Sequence, residues 1–420
     1  MKPIISLLLG SGFSIPEGVP RTLSLNNSLS KITESEIIIH GSQKAGLLRG
    51  EQNPNSRINW IERMFVQEFI EFYSAKESNN FNYEVFYDFY MGYLRNEKNK
   101  EAIEEFNHSF EVKHNLTGSS YSHDSKTNIR NFNRTFSQLL SDFLKSPKYY
   151  DDGEAHSYHY NSFINFIKET LLSYDIKIHS LNHDILFDWL GSKHPSLSEY
   201  FSDGFLLEGS PYYGNVYADF EDGITKQRIR KSYYAKLEQF ANKFDKPLCL
   251  FKLHGSVSNK IVYTPLNNNV IIQPSEGNFG RIKDNYSVSD YYMELPDDKI
   301  PNRLSMRELM DRVEPDILTG KTEKMFQYDA GYYKLLFEHF KNNLTNSELL
   351  IVIGYGFQDD GINKRLEEYF LSKGKKMIVI DPFPPDTDLT RKYKPFPVPK
   401  SIEYVTAEDY SEIRRKYLTH

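Results

Sequence analysis

Apolar positions along this chain fall into two patterns, short continuous runs and helical spacings. Ile4 to Leu9 is almost unbroken apolar sequence, as expected of a strand buried on both faces of a parallel sheet. Runs of the same kind occur at 176–181, 248–253, 349–353 and 377–380. Between them, apolar residues recur at steps of three and four, which puts them on one face of a helix. Ile58, Ile61, Phe65, Phe69 and Phe72 form one such set, Phe132, Phe136, Leu139, Leu140 and Phe143 another, and Phe163, Ile164, Ile167 and Leu171 a third. Tyr332, Leu335, Leu336 and Phe340 precede the fourth run, and Ile362, Leu366, Tyr369 and Phe370 follow it. The alternation predicts an α/β fold, a doubly wound parallel sheet with a large mainly helical insertion.

The same pattern sets the expected organisation. The sheet framework is discontinuous, 1–21 plus 173–382; a helical insertion spans 22–172, and 383–420 is a C-terminal tail rich in Pro and charge. Segment 22–56, rich in Ser, Asn and Gly, reads as irregular, as do 191–246 and the loop-rich 258–330, where Pro315 to Lys321 is the most site-like piece.

Composition narrows the class. With 420 residues, 39% hydrophobic and 15% aromatic, the chain has ample length for the core of a soluble globular protein. A formal charge of −6 gives no global drive towards nucleic acid, and the basic run Lys226 to Lys231 reads as solvated surface. The one cysteine, Cys249, excludes an intramolecular disulfide and a zinc site built from several cysteines, and fits a reducing compartment. Lys2 and the run behind it are too short for a signal peptide and lack a small-residue cleavage site; no run approaches membrane-spanning length, so a cytoplasmic location is expected. His108, His114 and His123 lack close ligand spacing and are expected in a surface loop, so no metal is expected there.

Each predicted strand ends in small or polar residues. Gly10-Ser11-Gly12 allows a tight turn and close approach of a ligand, with N–H groups able to hold phosphate oxygens, but lacks the third glycine of the full dinucleotide fingerprint. Asn182-His183-Asp184 either caps the following helix or lies at a ligand-binding strand end. His254 follows its strand directly and precedes Gly255, which leaves a structural and a catalytic role evenly balanced. Asp381 could bind a ribose hydroxyl or simply begin a turn.

Taken together, four segments are more specific. Gly10-Ser11-Gly12-Phe13-Ser14-Ile15-Pro16-Glu17-Gly18-Val19-Pro20, Leu181-Asn182-His183-Asp184, Leu253-His254-Gly255-Ser256 and Gly354-Tyr355-Gly356-Phe357-Gln358-Asp359-Asp360-Gly361-Ile362-Asn363 resemble, in this order, motifs of the sirtuin-like NAD-hydrolase domains of bacterial antiphage defence. The resemblance spans the framework from residue 4 to 381 and omits the insertions. It implies a Rossmann-like NAD site, with Gly10, Ser11, Gly12, Phe13 and Ser14 at the diphosphate and adjoining ribose. Gly354, Gly356, Phe357 and Asn363 would surround the adenosine half. Asn182 and Asp184 match residues beside the nicotinamide ribose, and His254 matches the catalytic histidine. Ser11 stands where Ala is frequent in that family, and His183 where Tyr or Ile is common.

The resemblance implies hydrolysis of the nicotinamide–ribose bond to nicotinamide and ADP-ribose, with a cyclic product as a variant. Protein deacylation is the first alternative. Against it, Pro20 is followed by Arg21-Thr22-Leu23 where the deacylases carry Asp-Phe-Arg, and one cysteine cannot build their four-cysteine zinc ribbon. A non-catalytic module binding NAD or ADP-ribose is the second alternative, and a dehydrogenase a weaker third. Because unregulated NAD loss would kill a host, control through a homo-oligomer or a partner is expected, and the resemblance points to a hexameric HerA-type ATPase, with the insertion as a candidate contact surface.

Overall fold

In a computed structural model of the chain, the described residues are 2–40, 44–47, 60–78, 80–116, 124–144, 158–210, 212–221, 228–263, 269–274, 315–320, 324–325, 328 and 331–418. They divide into two compact units, residues 1–19, 145–317 and 331–420, and residues 20–144 with 318–330.

The first unit is built on a seven-stranded, all-parallel sheet. Its strands are β1 (Ile4–Leu9), β4 (Asp175–Ser180), β5 (Phe201–Ser202), β9 (Leu248–Lys252), β13 (Ser347–Ile353), β14 (Lys376–Ile380) and β15 (Phe396–Val398), and their lateral order is β15-β14-β13-β1-β4-β9-β5. Setting aside the two-residue β5 at the edge, the six strands taken in chain order lie as 3-2-1-4-5-6, the doubly wound Rossmann order. The order reverses between β1 and β13, and a sheet of this kind opens a crevice at the carboxyl ends of the strands there. Leu7, Leu8 and Leu9 are fully buried, as are Ile176, Ile178, Leu248 and Leu350 to Val352. Each such side chain contributes about 2 kcal/mol by leaving water, which explains why the runs are continuous rather than alternating.

Helices α6 (Asn161–Thr170), α7 (Leu186–Lys193), α8 (Gly331–Asn346) and α9 (Asp360–Tyr369) connect these strands. The expected tail is instead part of the fold. β15 pairs in register with β14, α10 (Asp388–Tyr393) leads into it, and α11 (Ala407–Tyr417) starts from a Thr406–Asp409 capping box. Tyr410 stacks on Phe166 of α6 at 4.6 Å, so short apolar segments in a polar sequence suffice to dock this end. The segments expected to be irregular carry a second, antiparallel six-stranded sheet. Its strands are β6 (Gly204–Leu206), β7 (Tyr213–Glu221), β8 (Arg228–Lys243), β10 (Gly255–Tyr263), β11 (Asn269–Pro274) and β12 (Pro315–Ile317). Residues 321–323 and most of 275–330 lie outside the described residues, and with them the end of the Pro315–Lys321 piece.

The second unit holds α1 (Thr22–Ser30), the hairpin β2 (Ile37–His40) and β3 (Lys44–Leu47), and α2 (Trp60–Lys76), α3 (Tyr83–Asn96), α4 (Lys100–Lys113) and α5 (Ser125–Leu144). Segment 22–47 is therefore helix and hairpin where an irregular stretch was expected; 48–56 lies outside the described residues. The helical core is aromatic: Phe69 meets Phe106 and Phe132 at 4.9 Å and Phe86 at 5.3 Å, while Phe65 meets Phe110 at 5.1 Å. Within the expected 22–172 insertion, 145–157 lie outside the described residues, and α6 packs with the sheet, Phe163 lying against Phe13 and Phe187. The predicted surface loop around the histidines is largely helical: His108 is exposed on α4, and His114 binds Glu68 at 2.7 Å. His123 lies outside the described residues. Among the described residues no group of three His, Cys, Asp or Glu side chains is placed to hold a metal ion, and no helix is long and apolar enough to cross a membrane.

Candidate functional site

The predicted site residues other than Asp381 come from the carboxyl ends of β1, β4, β9 and β13, on either side of the point where the strand order reverses. They are fastened to one another. At the ends of β1 and β13 the two glycine turns interlock: Gly10 N–H donates to Ile353 O at 2.9 Å and Gly12 N–H to Gly354 O at 2.9 Å. A Cβ on Gly10 would lie 2.5 Å from Gly354 O, and one on Gly354 would lie 2.5 Å from the Gly12 backbone. Gly354 also takes φ 62°, in the left-handed region that favours glycine. These glycines are thus required for one turn to lie against the other. Gly356 differs, being exposed, with only Gln358 Cγ near its missing Cβ, at 3.8 Å.

The expected cradle of free N–H groups is largely committed within the fold. Gly10 and Gly12 donate as above, Phe13 N–H donates to Gly10 O and Ser14 N–H to Ser11 O. The N–H of the exposed Ser11 takes no acceptor among the described residues. Phe13, expected at the ligand, turns its ring inward against Tyr160 at 5.0 Å and Phe163 at 5.4 Å, and its carbonyl accepts the Tyr160 hydroxyl at 2.7 Å.

Asn182, 8% exposed, reaches across from the end of β4: its Nδ2 donates to Gly10 O at 2.9 Å and to Ser14 Oγ at 3.1 Å. Its Oδ1 takes no donor among the described residues. Ser14 in turn hydrogen-bonds the Asp184 carboxylate, whose Oδ1 also accepts Leu186 N–H at 3.0 Å at the start of α7. Burial raises the pKa of Asp184, while Lys252 and these hydrogen bonds oppose the rise. Asp184 therefore organises the turn into α7, whose N-cap is Ile185, without a side-chain capping bond. Lys252, the last residue of β9, points its buried ammonium at the Asp184 carbonyl and at Asp188 Oδ2, 3.1 Å away. Sequence reasoning missed both Lys252 and Asp188. A lysine ending an otherwise apolar strand, LCLFK, was the available signal.

His254, 6% exposed, faces Asp359 across the crevice, with Nε2 3.4 Å from Asp359 Oδ2. Its ring lies 6.2 Å from that of His183, whose carbonyl accepts Val257 N–H at 2.9 Å. Asp359 is the N-cap of α9, with Oδ1 accepting Ile362 N–H at 3.0 Å. Two residues expected around the adenosine instead hold the second turn: Asn363 Nδ2 donates to Phe357 O at 2.9 Å, and Asn363 Oδ1 lies 3.0 Å from the Tyr355 hydroxyl. Phe357 itself is buried at φ 54°, a left-handed conformation unusual for an aromatic residue, with its ring 4.9 Å from that of Tyr355. Asp381 stands one strand further out; its Oδ1 accepts Phe383 N–H at 2.8 Å, so it begins a turn.

No family model matches the chain, and no curated protein matches it. Among solved structures it is similar to one described as the structural basis of sirtuin substrate affinity, at 10% identity over 99% of this chain and 94% of that one, with a TM-score of 0.35. A likeness at that level carries no argument, so function has to be argued from the site. A contact path closes there, from Gly10 through Asn182 and the adjoining His183 to His254, Asp359, Tyr355 and Gly354, and back through Gly12. It gathers an imidazole, an amide oxygen and a helix N-terminus at the carboxyl ends of the parallel strands. A separate hollow beside Tyr174 and Arg414, before the amino end of β4, contains none of these residues.

Proposed function

We propose that the chain is an NAD+ hydrolase that cleaves the nicotinamide–ribose bond. The observation that carries the reading is the convergence of Asn182 and His254, from two different strand ends, on the crevice of a 3-2-1-4-5-6 sheet. The nicotinamide ring, cationic in NAD+, leaves C1′ of the ribose as a neutral molecule, taking the electron pair of the bond between them. The transition state resembles an oxocarbenium ion, so the main requirements are a held ribose and a placed water. Water oxygen then bonds C1′, and its proton passes to His254 and on to solvent, a general-base role contributing ~10²–10⁴-fold. Asn182 Oδ1 accepts from a ribose hydroxyl or that water, while Nδ2 keeps the first turn in place. Asp184 keeps its organising role. Ser11 N–H and the exposed Gly356 turn meet the diphosphate and adenosine.

One observation favours the non-catalytic nucleotide-binding reading: most of the first turn's N–H groups, and the Asn182 amide, are committed within the protein. The wider role, an NAD-depleting effector of bacterial antiphage defence acting in the cytoplasm as a homo-oligomer with a hexameric HerA-type ATPase, is supported by the motif resemblance and proposed with it.

The test is NAD consumption by purified protein, alone and with a candidate ATPase, with products identified by chromatography. Nicotinamide and ADP-ribose released without an acylated peptide, and lost in His254→Ala, support hydrolysis. Asn182→Asp, which keeps the acceptor and removes the amide donor, separates loop fastening from ribose contact. Binding without release in every combination favours the module.

A further inference from the structure

We infer that Asp359 is the positioning carboxylate of His254, holding the imidazole by its Nε2 edge and stabilising the cation formed when the ring takes up a proton. The use of this pair in catalysis rests on the hydrolase reading above; the pair itself stands on geometry. Asp359 Oδ2 lies 3.4 Å from His254 Nε2, and both side chains are 8% exposed. A carboxylate that close to an imidazole out of bulk water favours the imidazolium.

Asp359 is also held in position. Its Oδ1 is fixed by Ile362 N–H at 3.0 Å, and its backbone N–H and carbonyl lie 3.3 Å and 3.2 Å from the Tyr355 hydroxyl. One oxygen caps α9 while the other faces the histidine, so the second turn and the imidazole are set by one residue. Among the described residues the His183 ring lies 6.2 Å from that of His254, and Lys252, two residues earlier, is directed to Asp184 and Asp188. With Nε2 turned to Asp359, His254 works as an oriented base, the logic by which a buried carboxylate fixes a catalytic imidazole elsewhere.

Asn caps a helix about as well as Asp, so Asp359→Asn removes the charge and keeps the cap. The experiment titrates the His254 ring by NMR in the full chain with 13C-labelled histidine, assigned by His254→Gln, in wild type, Asp359→Asn and Asp359→Glu. NAD hydrolysis is followed across pH in parallel. The expected result is a fall of about one unit in the His254 pKa in Asp359→Asn, recovered in part by Asp359→Glu. The acid limb of the rate profile should move down with it, with the urea midpoint unchanged at a pH where the His254 ring is neutral. Asp359→Ser, a second neutral cap, serves if the Asn variant does not fold. A His254 pKa that stays in place in the neutral variants overturns the pair. If the pKa falls while the wild type cleaves no NAD, the pair stands and the hydrolase reading fails.

Discussion

His179 offers a direct test of how the central sheet is packed. It lies on β4, fully buried, with its ring 5.1 Å from Phe251 and 4.7 Å from Phe340, and neither ring nitrogen has a hydrogen-bond partner. Burial, helped by the charges of His339 and Lys177, lowers its pKa from 6.5 to about 3. The folded state therefore refuses a proton that the unfolded chain accepts below pH 6.5. The sign follows. This contribution to stability is complete above pH 6.5 and is lost as pH falls from there towards about 3. The loss runs at about 1.4 kcal/mol per pH unit, or about 2 kcal/mol at pH 5. His179→Phe keeps the stacking and removes the titration, so wild type should lose about 2 kcal/mol relative to the variant between pH 7.5 and pH 5. The assay is urea unfolding at both pH values, read by Trp189 of α7 in a Trp60→Phe background, since the chain has two tryptophans. Other acid-labile groups are common to both proteins and cancel in the difference. Midpoints that fall in parallel would show that the imidazole is already charged or solvated in the folded state, and the packing argument would be refuted.

Two further substitutions probe the rim. Gly354→Ala puts a Cβ 2.5 Å from the Gly12 backbone at φ 62° and should cost about 3 kcal/mol and separate the two turns, whereas Gly356→Ala should stay within about 0.5 kcal/mol. Equal unfolding midpoints for the two variants would contradict the interlock. Lys252→Met removes a buried cation 3.1 Å from Asp188, leaving that carboxylate unpaired, at an expected cost of about 3–5 kcal/mol. Lys252→Met with Asp188→Leu should recover most of it, and a single variant as stable as wild type by urea unfolding would count against a buried pair.

Five of the seven parallel strands were legible because they are buried on both faces and so read as continuous apolar runs; their observed bounds differ from the expected ones by two residues at most. The antiparallel sheet was hidden for the opposite reason. In β8 the period-two set Ile229, Tyr233, Ala235 and Leu237 is interrupted by Lys231 and surrounded by charge, which reads as surface. α1 escaped because Ser and Asn fill it, yet Leu25 and Leu29 are buried and Asn26 accepts Tyr83 N–H at 2.9 Å. β15 has three residues, Phe396-Pro397-Val398, and proline is tolerated there because the strand lies at the sheet edge. For the site, sequence brought out residues at the strand ends but not how they are fastened to one another. Phe13 and Asn363 were read as ligand contacts, and tertiary structure spends them on packing and on holding a turn. Asp359 lay within a motif but had no assigned role, because its partner is 105 residues away in sequence.

These reassignments change where binding energy has to come from. A crevice with many free N–H groups would hold a diphosphate by its backbone alone. Here the first turn keeps one such group, at Ser11, while its glycines serve a backbone-to-backbone contact with the Gly354 turn. Any ligand that takes more backbone donors from residues 10–14 must break Gly10 N–H to Ile353 O, Gly12 N–H to Gly354 O, Phe13 N–H to Gly10 O or Ser14 N–H to Ser11 O. Breaking either of the first two would part the first turn from the Gly354 turn that leads to Asp359, so under the proposed reading a ligand at the diphosphate end would also disturb the setting of His254. NAD should therefore alter the His254 titration through its adenosine and diphosphate half, and ADP-ribose, which lacks nicotinamide, should reproduce the change. A His254 resonance that responds to nicotinamide but is indifferent to ADP-ribose would show the two ends of the crevice to be independent.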